Sequence, residues 1–130
     1  MKNILVTGGA GSIGSEIVRQ VLGYNPEMVI ICDQAETPLH DLQLEIEENY
    51  PDADLKICMG DISNFNRMYS LFNEYTPHIV YHAAAYKHVP MIENNPSEAI
   101  MTNILGTKNL ADLSMTFDVE KFVMVSTDKA

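Results

Sequence analysis

Five short runs of apolar and β-branched residues recur along the chain: Ile4–Thr7, Met28–Cys32, Leu55–Met59, Ile79–His82 and Phe122–Ser126. The stretches between them carry apolar residues at helical spacing. Ile13, Ile17, Val21 and Leu22 mark one face of a first helix, Leu39, Leu42, Ile46 and Tyr50 a second, and Met68, Leu71, Phe72 and Tyr75 a third. A fourth, longer helix is expected from about Pro96 to Met115, with Ile100, Ile104, Leu110 and Ala111 inward. Strands that are short and apolar on both faces belong in a parallel sheet covered by helices on each side. The alternation therefore predicts an α/β, doubly wound fold with a parallel sheet of about five strands. Right-handed crossovers give it the order 3-2-1-4-5. Helix starts are signalled by Ser63 or Asn64 before the third helix and by Pro96, Ser97 and Glu98 at the fourth.

At 130 residues the chain is expected to form one domain with a single sizeable core. It stops just after the fifth strand, so residues 1–130 read as the N-terminal part of a larger catalytic domain, truncated before a sixth strand and a substrate lobe. The formal charge of −10 argues against nucleic acid as a partner, because a phosphate polymer would be repelled over most of the surface. No apolar stretch approaches the ~20 residues that span a bilayer, so no membrane contact is expected from this segment. Met1, Lys2 and Asn3 lead straight into a strand and leave no room for a signal peptide. A cytoplasmic protein follows, or the cytoplasmic domain of a longer membrane protein. Cys32 and Cys58 read as small buried hydrophobes in a reducing compartment. A disulfide would require neighbouring strands to align them, and no metal site is expected. The Glu45–Glu48 run reads as a solvated helix face.

The segment Thr7-Gly8-Gly9-Ala10-Gly11-Ser12-Ile13-Gly14 follows the first strand and opens the first helix. Gly8 permits a tight turn, Gly11 lets backbone approach a diphosphate, and Gly14 allows close helix–strand packing. Unpaired N–H groups and the positive end of the helix dipole, around Ser12 and Ile13, suit that anion and offset the unfavourable net charge. The plain alternative is a glycine-rich turn with no ligand. Asp33 ends the second strand, near the spacing at which a carboxylate meets the adenosine ribose. A 2′-phosphate would meet this carboxylate unfavourably, and no arginine lies in residues 33–38. NAD is therefore preferred over NADP. Asp33 also suits a turn cap. Asp61 and Ile62 could meet the adenine, or Asp61 could simply open a helix.

The spacing Gly8-x-x-Gly11-x-x-Gly14 occurs with Gly60-Asp61-Ile62, His82-Ala83-Ala84-Ala85, Asn103-x-x-Gly106-Thr107 and Ser126-Thr127-Asp128-Lys129. Together these resemble the extended short-chain dehydrogenase/reductase superfamily, which has a Rossmann fold. The tract His82-Ala83-Ala84-Ala85-Tyr86-Lys87-His88-Val89-Pro90, with Ser126-Thr127-Asp128-Lys129-Ala130, is narrower. It is similar to the polysaccharide-biosynthesis (CapD-like) branch, the UDP-N-acetylglucosamine 4,6-dehydratases. The resemblance implies bound NAD or NADP, a UDP-sugar substrate and a homo-oligomer at full length. It also implies a tyrosine-x-x-x-lysine pair, with methionine replacing the tyrosine in some members, that lies beyond residue 130. The 130-residue piece is therefore expected to bind cofactor weakly and to catalyse nothing alone.

Ala83, Ala84 and Ala85 leave the fourth strand at the sheet's switch point, where small side chains let a dinucleotide lie close. Thr127, Asp128 and Lys129 leave the fifth strand at the same edge. By resemblance, C4 of the sugar gives hydride to NAD+, and the 4-ketone acidifies the C5 proton, which Lys129 removes if burial lowers its pKa. Asp128, protonated, gives its proton to the departing C6 hydroxyl while Thr127 bonds the C4 oxygen; hydride then returns to C6. A simple polar turn is the other reading of this tract. Asn103, on an apolar helix face, must find a hydrogen-bond partner; a structural bond is expected, and the resemblance places it beside the active site. Lys87 could contact substrate phosphates or hydroxyls or be solvated, and His88 reads as a loop or core residue rather than a ligand. A nucleotide-sugar 4-epimerase shares the first hydride step. A non-catalytic dinucleotide sensor is a reading of another class.

Overall fold

The computed structural model describes residues 2–83 and 96–125. The elements are β1 (Asn3–Thr7), α1 (Ser12–Leu22), β2 (Met28–Asp33), α2 (Glu36–Asn49), β3 (Leu55–Met59), α3 (Phe65–Tyr75), β4 (Ile79–His82), α4 (Pro96–Thr116) and β5 (Lys121–Met124). All five strands are parallel, in the order β3-β2-β1-β4-β5. This is the expected doubly wound, Rossmann-like sheet. The chain moves outward from β1 to β3, then returns past β1 to β4. That reversal makes the carboxyl edge between β1 and β4 the switch point, where no crossover covers the strand ends.

Alternate side chains of the central strands feed two cores. Leu5, Ile30, Cys58 and Val80 face α3 and α4, against Met68, Leu71, Phe72, Leu110 and Leu113. Ile4, Val6, Val29 and Ile31 face α1 and α2, against Val18, Val21, Leu22, Leu39, Leu42 and Ile46. Asn64 caps α3, its side chain accepting from the Arg67 N–H at 3.1 Å, which settles the choice between Ser63 and Asn64.

The helix faces differ from expectation in three places. Ile13 is 38% exposed and borders the switch-point groove rather than the core. Tyr50 lies past the end of α2 and is likewise mostly clear of the core. Ile104, expected inward, is 56% exposed. α4 is phased by Gly106, Asn109, Leu110 and Leu113, and Gly106 sits where a Cβ would strike the Ile62 side chain. With that close approach fixed, Ile104 is carried round to the outside. The β5 boundary also shifts, from Phe122–Ser126 to Lys121–Met124.

Phe72 is fully buried in the α3–α4 core, whereas Met115 is 78% exposed. Phe72→Ala is expected to lower stability by about 3–5 kcal/mol, and Met115→Ala by no more than about 0.5 kcal/mol. Urea unfolding of both variants checks the assignment.

Candidate cofactor groove at the switch point

Gly8 adopts φ 71°, a left-handed conformation that turns the chain sharply off β1 without the strain a side chain would add. Its N–H bonds the Cys32 carbonyl at 2.8 Å, so the turn is tied to the neighbouring strand. Gly9 is the position of close strand approach: a Cβ there would strike Cγ2 of Ile31. At Gly14 a Cβ would strike the Gly8 carbonyl oxygen. Gly14 thus lets α1 close onto the turn that leaves β1, while Gly9, within that turn, is the position that lies closest against β2. No side chain caps the start of α1, whose N-cap is Gly11. The N–H groups of its first turn therefore face the groove with the positive end of the helix dipole behind them.

The groove encloses about 180 Å³ and brings together residues from five segments. Gly8, Gly11, Ser12, Ile13 and Gly14 form one side; Asp33, Asp61 and Ile62 form the far end; Ala83 and Asn103 close the other side. All these are residues that the sequence singles out. Cys32, Gln34 and Gly60 line it as well and are additions. Gly60 stood in a quoted tract, Gln34 directly follows Asp33, and Cys32 carried no signal beyond burial. A second hollow, of about 340 Å³, is bordered by Glu27, Asp52 and Asp54. Its carboxylates make it a poor place for an anion. Ala84, Ala85, Lys87, His88, Thr127, Asp128 and Lys129 lie outside the described residues.

Asp33 is bonded through both oxygens. Oδ2 accepts from the Ala10 N–H and Oδ1 from the Ala35 N–H, each at 2.9 Å. Each carboxylate oxygen has a second lone pair, so the turn-capping role and a ribose contact are compatible. Asp61 Oδ1 accepts from the Ser63 N–H at 3.0 Å, a turn within the loop that leads to the Asn64 cap of α3, while the residue still borders the groove. Asn103 Oδ1 is buried and meets no donor among the described residues, so the expected structural bond to this atom is not made there. An orphaned acceptor beside uncapped helix amides leaves hydrogen-bonding capacity that a bound group could satisfy.

Beneath the groove His82 is fully buried. Its Nδ1 lies 2.7 Å from the Thr7 hydroxyl and its Nε2 2.9 Å from that of Thr107, and its ring stacks on Phe122. Burial pushes its pKa down to about 4, so the imidazole is neutral. Cys32 and Cys58 are register partners on β2 and β3, and both are free thiols. The strands thus meet the alignment condition for a disulfide, and the sulfurs remain reduced. The adjacent Cys58 thiol and burial push the Cys32 thiol up. Among the described residues no group of three or more His, Cys, Asp or Glu gathers to hold a metal ion, and no helix is long and apolar enough to cross a membrane.

A doubly wound parallel sheet with a glycine-turn groove at its switch point is the Rossmann-like class of fold. Residues 4–130 match the family described as polysaccharide biosynthesis protein, and the chain belongs to that family. Over 130 residues it is 47% identical to the capsular polysaccharide biosynthesis protein CapD of Staphylococcus aureus, covering 99% of this chain and 22% of that one. It is 37% identical over 130 residues to a UDP-N-acetylglucosamine 4,6-dehydratase (inverting) of Campylobacter jejuni, covering 99% of this chain and 37% of the relative. Among solved structures, a UDP-glucose-4-epimerase from Stenotrophomonas maltophila with bound NAD and formylated UDP-arabinopyranose superposes with a TM-score of 0.85. That pair is 27% identical, over 98% of this chain and 38% of the epimerase. The chain spans 22% to 38% of the length of these proteins.

A neutral buried histidine makes stability depend on pH. The unfolded chain takes up the His82 proton near 6.5 and the folded chain near 4, so the unfolded state binds more protons between these values. The His82 contribution should be fully present above pH 6.5 and fall by roughly 3 kcal/mol as pH drops to 4. Denaturation midpoints of wild type and His82→Gln across this range test it: parallel curves would refute the assignment.

Proposed function

We propose that this chain is the NAD-binding part of a nucleotide-sugar 4,6-dehydratase acting on UDP-N-acetylhexosamine in polysaccharide or glycan biosynthesis. The observation that carries the cofactor reading is the groove itself. Uncapped α1 amides, the Asp33 carboxylate and the Asn103 oxygen, which has no partner among the described residues, converge on one cleft at the switch point. The dehydratase reading draws on the similarity to the C. jejuni enzyme and on the Thr127-Asp128-Lys129 tract.

In this reading the amides of Ser12, Ile13 and Gly14 hold the diphosphate, and Gly8 and Gly11 leave room for its close approach. Asp33 accepts the ribose hydroxyls, Asp61 and Ile62 flank the adenine, and Ala83, Ala84 and Ala85 give the cofactor a flat wall. Asn103 receives a donor from the bound group. The dinucleotide, when bound, supplies a reversible hydride acceptor. Thr127 bonds the sugar C4 oxygen, Lys129 takes the C5 proton and Asp128 returns a proton to the departing C6 hydroxyl. Lys87 contacts substrate phosphates or hydroxyls. NAD is favoured over NADP because Asp33 would repel a 2′-phosphate and residues 33–38 contain no cation to offset it.

A 4-epimerase is the second reading, favoured by the close superposition on the S. maltophila enzyme. The two separate at Lys129, since epimerisation at C4 needs no base directed at C5. A protein extended to the length of these relatives, given UDP-N-acetylglucosamine, is expected to accumulate a 4-keto-6-deoxy sugar detectable by NMR. Formation of the C4 epimer alone would exclude the dehydratase.

Cofactor choice is testable on the chain itself by calorimetric titration. Asp33→Ala should weaken NAD about tenfold, the scale of a lost charged hydrogen bond, and weaken NADP less. An unchanged NAD to NADP ratio would remove Asp33 from the ribose.

A further inference from the structure

Two borders of the groove, the glycine turn on one side and the Gly60–Ser63 loop at the far end, hang from β2. The Gly8 N–H bonds the Cys32 carbonyl, and the Gly60 N–H bonds the Asp33 carbonyl at 3.1 Å. The sheet thus ties both to adjacent residues of β2, and α4 adds a second link on the face away from α1 and α2. On that face one turn of α4 reaches both borders. Thr107 bonds His82, which in turn bonds Thr7, the residue before Gly8. Asn109, two residues further along, donates its Nδ2 hydrogen to the Ile62 carbonyl at 3.0 Å and is itself buried. Gly106, directly before Thr107, lets the helix close onto the Ile62 side chain.

We propose that His82, Thr107 and Asn109 are positioning residues that lock the glycine turn and the Gly60–Ser63 loop to a single turn of α4 and so set the width of the groove. None of the three appears among the groove-lining side chains; they act through Gly8 and Ile62, which do. The His82 link is directional. A neutral imidazole has one N–H and one bare nitrogen, so one threonine hydroxyl accepts and the other donates. Replacing either threonine with valine keeps the shape but leaves a buried ring nitrogen unpaired, which is costly. The effect on ligand affinity rests on the dinucleotide reading above, whereas the brace is a property of the free protein.

The test is residue-resolved amide exchange on the unliganded chain, followed by NAD titration. Thr107→Val should speed exchange about tenfold or more at Gly8–Gly14 and Ala83, and Asn109→Leu should do so at Gly60–Ser63, with the remaining sheet unchanged. Thr107→Ser, which restores the hydroxyl, should return exchange to within about twofold of wild type. In the wild type, the His82 ring N–H should exchange slowly enough to give a nitrogen-correlated proton signal, a readout that needs no variant to fold. Uniform acceleration, no local change, or a missing ring signal would each overturn the brace. NAD affinity should fall about fivefold or more in both disruptive variants at a temperature where they stay folded. If the wild type binds no NAD while the local exchange pattern appears, the dinucleotide reading fails and the brace stands. If NAD binds all variants equally, the brace does not set the groove.

Discussion

The carboxylate of Asp33 holds the turn that follows β1 to the end of β2. One oxygen receives the Ala10 N–H and the other the Ala35 N–H, while the Cys32 carbonyl just before it receives Gly8. These bonds fix where α1 begins. A helix that started elsewhere would aim its free amides away from the switch point. The left-handed Gly8 and the absent side chain of Gly14 allow the geometry, and Asp33 selects it. An acidic side chain thus organises a groove suited to an anion, inside a chain of net charge −10. Local dipoles can outweigh a mean field that screening by salt reduces beyond about 10 Å.

Behind the residues that line the groove lies a set of polar groups buried in an otherwise apolar layer. Thr7, His82 and Asn109 are each within the core by exposure. Apolar packing alone would tolerate small sliding of α4 along the sheet. Hydrogen bonds between buried groups allow far less, because a shift leaves donors and acceptors unpaired where no water replaces them. Such a layer defines a site better than it stabilises a fold.

Much of this was legible in the residues. Short apolar, β-branched runs and helical spacing located the nine elements of the described residues, and the strand order followed from crossover handedness. The groove residues from Gly8 to Asn103 could be named because glycine spacing, a strand-end acid and small residues after β4 each carry a local chemical reason. Ile104 could not be placed, since its orientation depends on a contact between Gly106 and Ile62 that lies far away in sequence. Gly9 was passed over for the same reason: its partner, Ile31, is on another strand.

The amino-acid sequence by itself determined the architecture, the glycine turn, the acid at Asp33 and the family. Each depends on near neighbours, on repeated spacing, or on motifs that survive as strings. Only the tertiary structure decided that His82 is a neutral bridge between two threonines, that Asn103 brings to the groove an oxygen with no partner among the described residues, and that Cys32 and Cys58 lie side by side. Those facts join residues 25 to 75 positions apart, or depend on what surrounds an atom. Burial and partner geometry are properties of the packed chain, and no local pattern encodes them.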